Sequence, residues 1–148
     1  MKMKAVVLWM AVFTATGCAT QRLNTASGRP EVTVHGTSAG VVRTATVNYF
    51  VDRGFAPVKT DENQLVFQQE GSAGQKLLMG LLTNEPQSIT RVTITLVENG
   101  QDLRVVGGIA AVGQNTFGRQ QEVELTGKGY PQLQQALEAI KAKAEAAR

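Results

Sequence analysis

The sequence predicts an α+β fold: a single antiparallel sheet of about six strands, a C-terminal helix packed across one face, and a second helix near the N-terminus. Three observations predict it. Apolar residues alternate over Ser88 to Glu98, with Val92, Ile94 and Leu96 on one face and Arg91, Thr93 and Thr95 on the other; period two is that of a half-buried strand. Asn99-Gly100 follows at once, a hairpin signal read as a type I′ turn. Pro131 to Arg148 places Leu133, Leu137, Ile140 and Ala144 on one helical stripe.

The remaining elements follow in chain order. Glu31 to His35 alternates and reads as a strand. Thr37 or Ser38 is a suitable N-cap for what comes next. Gly40 to Arg53 is rich in β-branched residues, which favours strand. Its length, the helical spacing of Val41, Val42, Ala45 and Tyr49, and Gly54 at a C′ position favour helix, and helix is the expectation. Phe55 to Thr60 and Gln64 to Gln69 read as strands around Asp61-Glu62-Asn63. Lys76 to Leu82 is a short apolar stretch of one or two helical turns, ending before Pro86. Asp102 to Val112 returns from the Asn99-Gly100 hairpin, and Gly107-Gly108 inside it predicts a bulge or bend. Gln120 to Thr126 is the last strand. In the final helix Pro131 suits the first turn, and Lys141, Lys143 and Arg148 suit the C-terminal end of the helix dipole.

The N-terminal segment has a different character. Met1-Lys2-Met3-Lys4 is basic, Ala5 to Phe13 is an apolar run of nine residues, and Thr14-Ala15-Thr16-Gly17 turns small. These are the three regions of a secretory signal peptide, and the run is far shorter than the roughly 20 residues of a membrane-crossing helix. Ala15-Thr16-Gly17-Cys18 closes it, and Cys18 is the only cysteine in the chain. This segment resembles the lipobox of bacterial lipoproteins, with Ala15 where the family usually has Leu. The resemblance implies diacylglycerol on the Cys18 thiol, cleavage between Gly17 and Cys18, and acylation of the new amino group. Two or three acyl chains suffice for stable anchoring. Ala19 in place of Asp after the lipidated cysteine is similar to the enterobacterial pattern for outer-membrane sorting. The expected organisation is therefore signal peptide 1–17, lipidated Cys18 and a flexible tether to residue 30, about twelve residues beyond the cysteine, and one domain at 31–148.

The β-α-β-β-(short α)-β-β-β-α order resembles helix-grip-type modules in some outer-membrane assembly lipoproteins, a likeness of layout without a shared motif.

Composition narrows the chemistry. The chain of 148 residues carries 15 Lys+Arg, 12 Asp+Glu and one His. Removing residues 1–17 takes away Lys2 and Lys4 and no acid, leaving thirteen bases against twelve acids. That balance, with few aromatics and no basic stripe, predicts no nucleic-acid partner. One Cys and one His exclude an intramolecular disulfide and a Cys/His zinc cluster. Glu122 and Glu124 share a strand face without evident partners, and the expectation is no metal and no cofactor.

Gly36-Thr37-Ser38-Ala39-Gly40 matches the G-x-S-x-G nucleophile elbow. The order that fold requires is Ser, acid, His, and the one His, His35, precedes Ser38. An N-cap or turn is the expected role. Gly71-Ser72-Ala73-Gly74-Gln75-Lys76 is similar to a phosphate loop but lacks its glycine spacing and the Ser/Thr after Lys. Leu77, Leu78, Met79, Leu81 and Leu82 form the densest apolar stretch after Cys18. Core packing is their ordinary role, and a partner surface is the alternative.

The resulting expectation is a lipid-anchored, non-catalytic binding or assembly module at the outer membrane, facing the periplasm. It would be held by acylated Cys18 and would meet a protein partner in the cell envelope. Two rival readings stand beside it: a carrier of a small apolar ligand in a sheet–helix groove, and a hydrolase using Ser38.

Overall fold

A computed structural model describes residues 23–70, 89–114 and 120–147. The elements are β1 (Glu31–His35), α1 (Ala39–Val51), β2 (Ala56–Thr60), β3 (Gln64–Glu70), β4 (Ile89–Asn99), β5 (Asp102–Gln114), β6 (Gln120–Glu124) and α2 (Gly129–Ala146). All six strands belong to one antiparallel sheet of order β1-β5-β4-β3-β2, with β6 also on β5. Both helices pack on the same face, and the core lies between them and the sheet. The Lys76 to Leu82 stretch lies outside the described residues.

Strand β5 organises the sheet. Along one edge it pairs with β4 without a break, from Asp102↔Asn99 to Val112↔Ile89. Along the other edge it carries two short strands end to end: β1 opposite residues 102–106 and β6 opposite residues 110–114. The gap between them is closed by the flanking backbone. Gly107 N–H donates to Pro30 C=O at 2.7 Å, and Leu125 N–H donates to Ile109 C=O at 2.9 Å.

Gly107 and Gly108 therefore form no bulge; their register with Ile94 and Thr93 is continuous. The physical reason for Gly107 is space. A Cβ there would meet Leu133 Cδ2 at 2.8 Å and Cγ at 3.1 Å, so α2 lies directly on the strand. The hairpin is also shifted by one residue from its sequence reading. Asn99 pairs with Asp102, which makes Gly100-Gln101 the two-residue loop. Gly100 has φ +65°, and among the described residues no non-glycine residue has positive φ. Positive φ at the first loop position alone is the type II′ arrangement, not type I′.

Helix α1 forms despite its β-branched residues because both ends are satisfied. Ser38, at φ −74° and ψ 151°, accepts from Val41 N–H through its side chain. Gly54, at φ +83°, lets Phe55 N–H reach Phe50 C=O and Gly54 N–H reach Val51 C=O, the paired bonds of a Schellman stop. The buried stripe is Val42, Ala45, Thr46 and Phe50. Val41 and Tyr49, placed on the stripe by spacing, lie half-buried at its margin. Thr46 survives burial by donating its hydroxyl to Val42 C=O at 2.7 Å. Phe50 then stacks on Phe67 with ring centroids 4.8 Å apart and meets Phe55 edge-on.

Helix α2 buries Leu133, Leu137, Ile140 and Ala144, the stripe read from the sequence, together with Tyr130 and Ala136. It begins at Gly129, two residues before Pro131, and its N-cap Lys128 makes no side-chain cap bond. The helix also covers the free edge of β1. Gln134 accepts from Glu31 N–H at 2.8 Å and donates to Glu31 C=O at 3.1 Å, and Glu145 accepts from His35 N–H at 3.1 Å. A side-chain amide thus stands in for the next strand.

Residues 23–30, expected to be part of a tether, are folded onto the domain. Leu23 packs against the core and Pro30 is buried. Thr25 Oγ1 donates to Arg29 C=O at 2.6 Å, Gly28 turns at φ +69°, and the backbone N–H groups of Ala26 and Ser27 donate to the Glu31 carboxylate.

Gly107→Ala is the sharpest test of this packing. Displacing Leu133 to admit the methyl group should cost about 1–3 kcal/mol, read as a lower urea midpoint with unchanged slope. An unchanged midpoint would mean that α2 does not rest on β5 as described.

Candidate functional site

The sheet face away from the helices carries the polar chemistry. It is floored by small residues, Gly108 and Ala110 on β5, over which the long side chain of Arg91 extends. Arg91 Nη1 donates to Glu122 Oε2 at 2.8 Å across the strand between them. With its amide turned to accept, Gln68 takes Nε and Nη2 of the same guanidinium at 3.0 and 2.9 Å. Beside them Arg29 pairs with Glu124 at 3.2 Å. Arg29, Arg91, Glu122 and Glu124 surround, with the Gly108–Ala110 floor, an open cleft of about 340 Å³. Glu122 and Glu124, without evident partners in the sequence, are each answered by an arginine. Among the described residues no three His, Cys, Asp or Glu side chains gather as a metal site would require.

Two further pairs tie β1 to β5 on this face. Arg104 Nη2 meets Glu31 Oε2 at 2.7 Å, and His35 Nδ1 meets Asp102 Oδ1 at 2.7 Å. The Glu31 side chain is only 13% exposed. Desolvation acts to raise its carboxyl, but hydrogen bonds from Ser27 and Arg104 and the Arg104 charge outweigh it, and the net effect is below 4.5. Tyr130, 4% exposed, donates its hydroxyl to Glu124 Oε1 at 2.5 Å. Burial first, and then the adjacent Glu124 carboxylate, push this phenol up to about 12.

A second cleft, of about 460 Å³, opens at the end of the sheet between the β1–α1 turn and the β4–β5 hairpin. Gly36, Thr37, Ser38 and Ala39 line one side; Glu98, Gly100, Gln101, Asp102 and Leu103 line the other. Ser38 is the N-cap expected of it: its Oγ accepts from Val41 N–H at 3.4 Å. Asp102 is the residue the sequence did not reveal as a partner of His35, because β1–β5 pairing joins positions 67 residues apart. Both members of that pair stand in solvent, at 56% and 44% exposure. A desolvated pocket, where a histidine base and an oxyanion would be worth most, does not surround them.

Cys18 and Gly17, and the candidate partner stretch Leu77, Leu78, Met79, Leu81 and Leu82, lie outside the described residues. No protein-family model matches the chain, and no curated protein matches it.

The two shifted groups make opposite predictions for stability against pH. The raised Tyr130 keeps its proton longer folded than unfolded, so its contribution is intact below pH 10.0 and is lost toward about 12. The lowered Glu31 contributes above 4.5, and its contribution is lost as pH falls through the folded value. Tyr130→Phe should flatten the alkaline limb and Glu31→Gln the acid limb of a melting temperature–pH profile. Parallel displacement of the whole profile by either variant would show that the shift is misassigned.

Proposed function

We propose that this protein is a lipid-anchored outer-membrane lipoprotein, non-catalytic, acting as a periplasmic binding or assembly module for another protein of the cell envelope. The observation that carries the reading is the sole cysteine, Cys18, directly after Ala15-Thr16-Gly17 and the nine-residue apolar run Ala5–Phe13. Chance placement of one cysteine rarely meets that spacing. The filled packing supports a binding surface over an internal carrier pocket: Leu133 occupies the space above Gly107, and Phe50 stacks on Phe67. Ser38 in an N-cap role and the solvent-exposed His35–Asp102 pair support a role without hydrolysis.

Cells expressing the wild type should incorporate a fatty-acid analogue into the protein and retain it with the membranes, whereas Cys18→Ser should do neither. Label and membrane retention in that variant would sink the anchor. Catalysis is checked separately. A serine-reactive fluorophosphonate should leave the wild type unlabelled, and Ser38→Ala should cost about 1 kcal/mol of stability or less. Labelling that disappears in Ser38→Ala would replace the binding module with a hydrolase.

A further inference from the structure

The folded turn at residues 23–30 changes how the domain would be held. Four residues lie between Cys18 and Leu23, so five residue-to-residue steps join them, and Leu23 is already packed against the core. A chain advances at most 3.3–3.6 Å per residue, so the first fixed point of the domain is at most about 18 Å from the acylated cysteine. This limit holds for any conformation of the intervening residues. From Leu23 onward the backbone is bound to the domain. Ala26 and Ser27 N–H groups donate to Glu31, Gly107 donates to Pro30, and Arg29 pairs with Glu124.

We infer that this turn is the pole of the domain that faces the lipid headgroups, with the β2 edge of the sheet turned away from them. The inference rests on acylation of Cys18 as proposed above. The turn sits beside the outer edge of β5, where β1 begins and β6 ends. From that column to β2 there are four strand intervals, about 19 Å at the usual spacing. The leash is thus no longer than the sheet is wide. The surface presented at the pole is mainly polar: Asn24 and Ser27 are exposed beside the small Ala26, and Arg29 is 53% exposed. Its fit is to the hydrated headgroup layer and not to the acyl interior. Among the described residues, the ion pairs of the outer face leave little free charge to draw it flat onto the bilayer. Arg29, Arg91 and Arg104 are each answered there by a glutamate, and His35 by Asp102.

The test uses the full chain, purified with its lipid and reconstituted in phosphatidylethanolamine vesicles containing a headgroup-nitroxide lipid. Acylation leaves Cys18 as a thioether, so a fluorescent maleimide should ignore the wild type and label only an introduced cysteine. Ala26→Cys and Asn24→Cys place the dye at the pole, and Val58→Cys places it on β2, where Val58 is exposed. Dye at 24 or 26 should lose most of its fluorescence to the nitroxide, and dye at 58 should keep most of it. A long Gly/Ser insertion between Gln21 and Arg22 should relieve the quenching at 26. Equal quenching at 26 and 58, or stronger quenching at 58, in protein that floats with the vesicles overturns the orientation and leaves the anchor standing. Maleimide labelling of wild-type Cys18 with no flotation overturns the anchor and the orientation with it.

Discussion

Leu133 lies so close to Gly107 that a Cβ there would meet its Cδ2 at 2.8 Å, and helix α2 is seated on that approach. Once Leu133 is seated, the helix repeat places its other contacts. Tyr130, one turn earlier, reaches Glu124 at the end of β6. Gln134, the next residue, meets both backbone groups of Glu31 at the start of β1. Glu145, near the far end, takes the N–H of His35 at the end of β1. One helix therefore fastens both short strands that share an edge of β5. A larger residue at position 107 would have to displace the Leu133 side chain, and with it the seat these polar contacts share.

The ion pairs on the opposite face work differently. Each is partly exposed, and exposed pairs are worth about 0–1 kcal/mol. They do not hold the sheet together; burial of Val92, Ile94, Val105 and Ile109 on the helix face does. A slip of one residue would put those side chains in water. What the charges add is mutual neutralisation, which keeps a broad half-exposed face free of net attraction. Small residues make this possible. Arg91 reaches Glu122 because Gly108 and Ala110 leave the surface low between them.

Most elements were legible because their signals are local. Alternation in β4, the α2 stripe, the Ser38 cap and the Gly54 stop each depend on residues within one or two turns. Positions that were misread depend on partners far away in sequence. Gly107-Gly108 looks like a bulge until Leu133, from a helix 26 residues later, is set against it. Asp102 is an ordinary strand residue until β1 pairs with β5. Arg29 looks like linker chemistry until Glu124 answers it. The hairpin shift has a local cause: a glycine serves at either loop position, so the sequence favours Asn99-Gly100 while the register selects Gly100-Gln101. The candidate site was less legible than the fold for the same reason, since every pair on the outer face except those within a hairpin or turn joins distant segments.

The two outer edges of the sheet also bear on how such a module would meet a partner. Strand addition needs a row of free backbone donors and acceptors. On β1 that row is interrupted at Glu31 and His35, where side chains of α2 already satisfy the backbone. On β2 Pro57 contributes no N–H, and the register shifts between Pro57 and Lys59, so a flat template is absent there too. Recognition at β1 or β2 would have to use side chains. The outer face has them in quantity, but among the described residues its arginines, Arg29, Arg91 and Arg104, are each engaged by a carboxylate. A partner would gain little from one new charge pair, because an existing pair must open to form it.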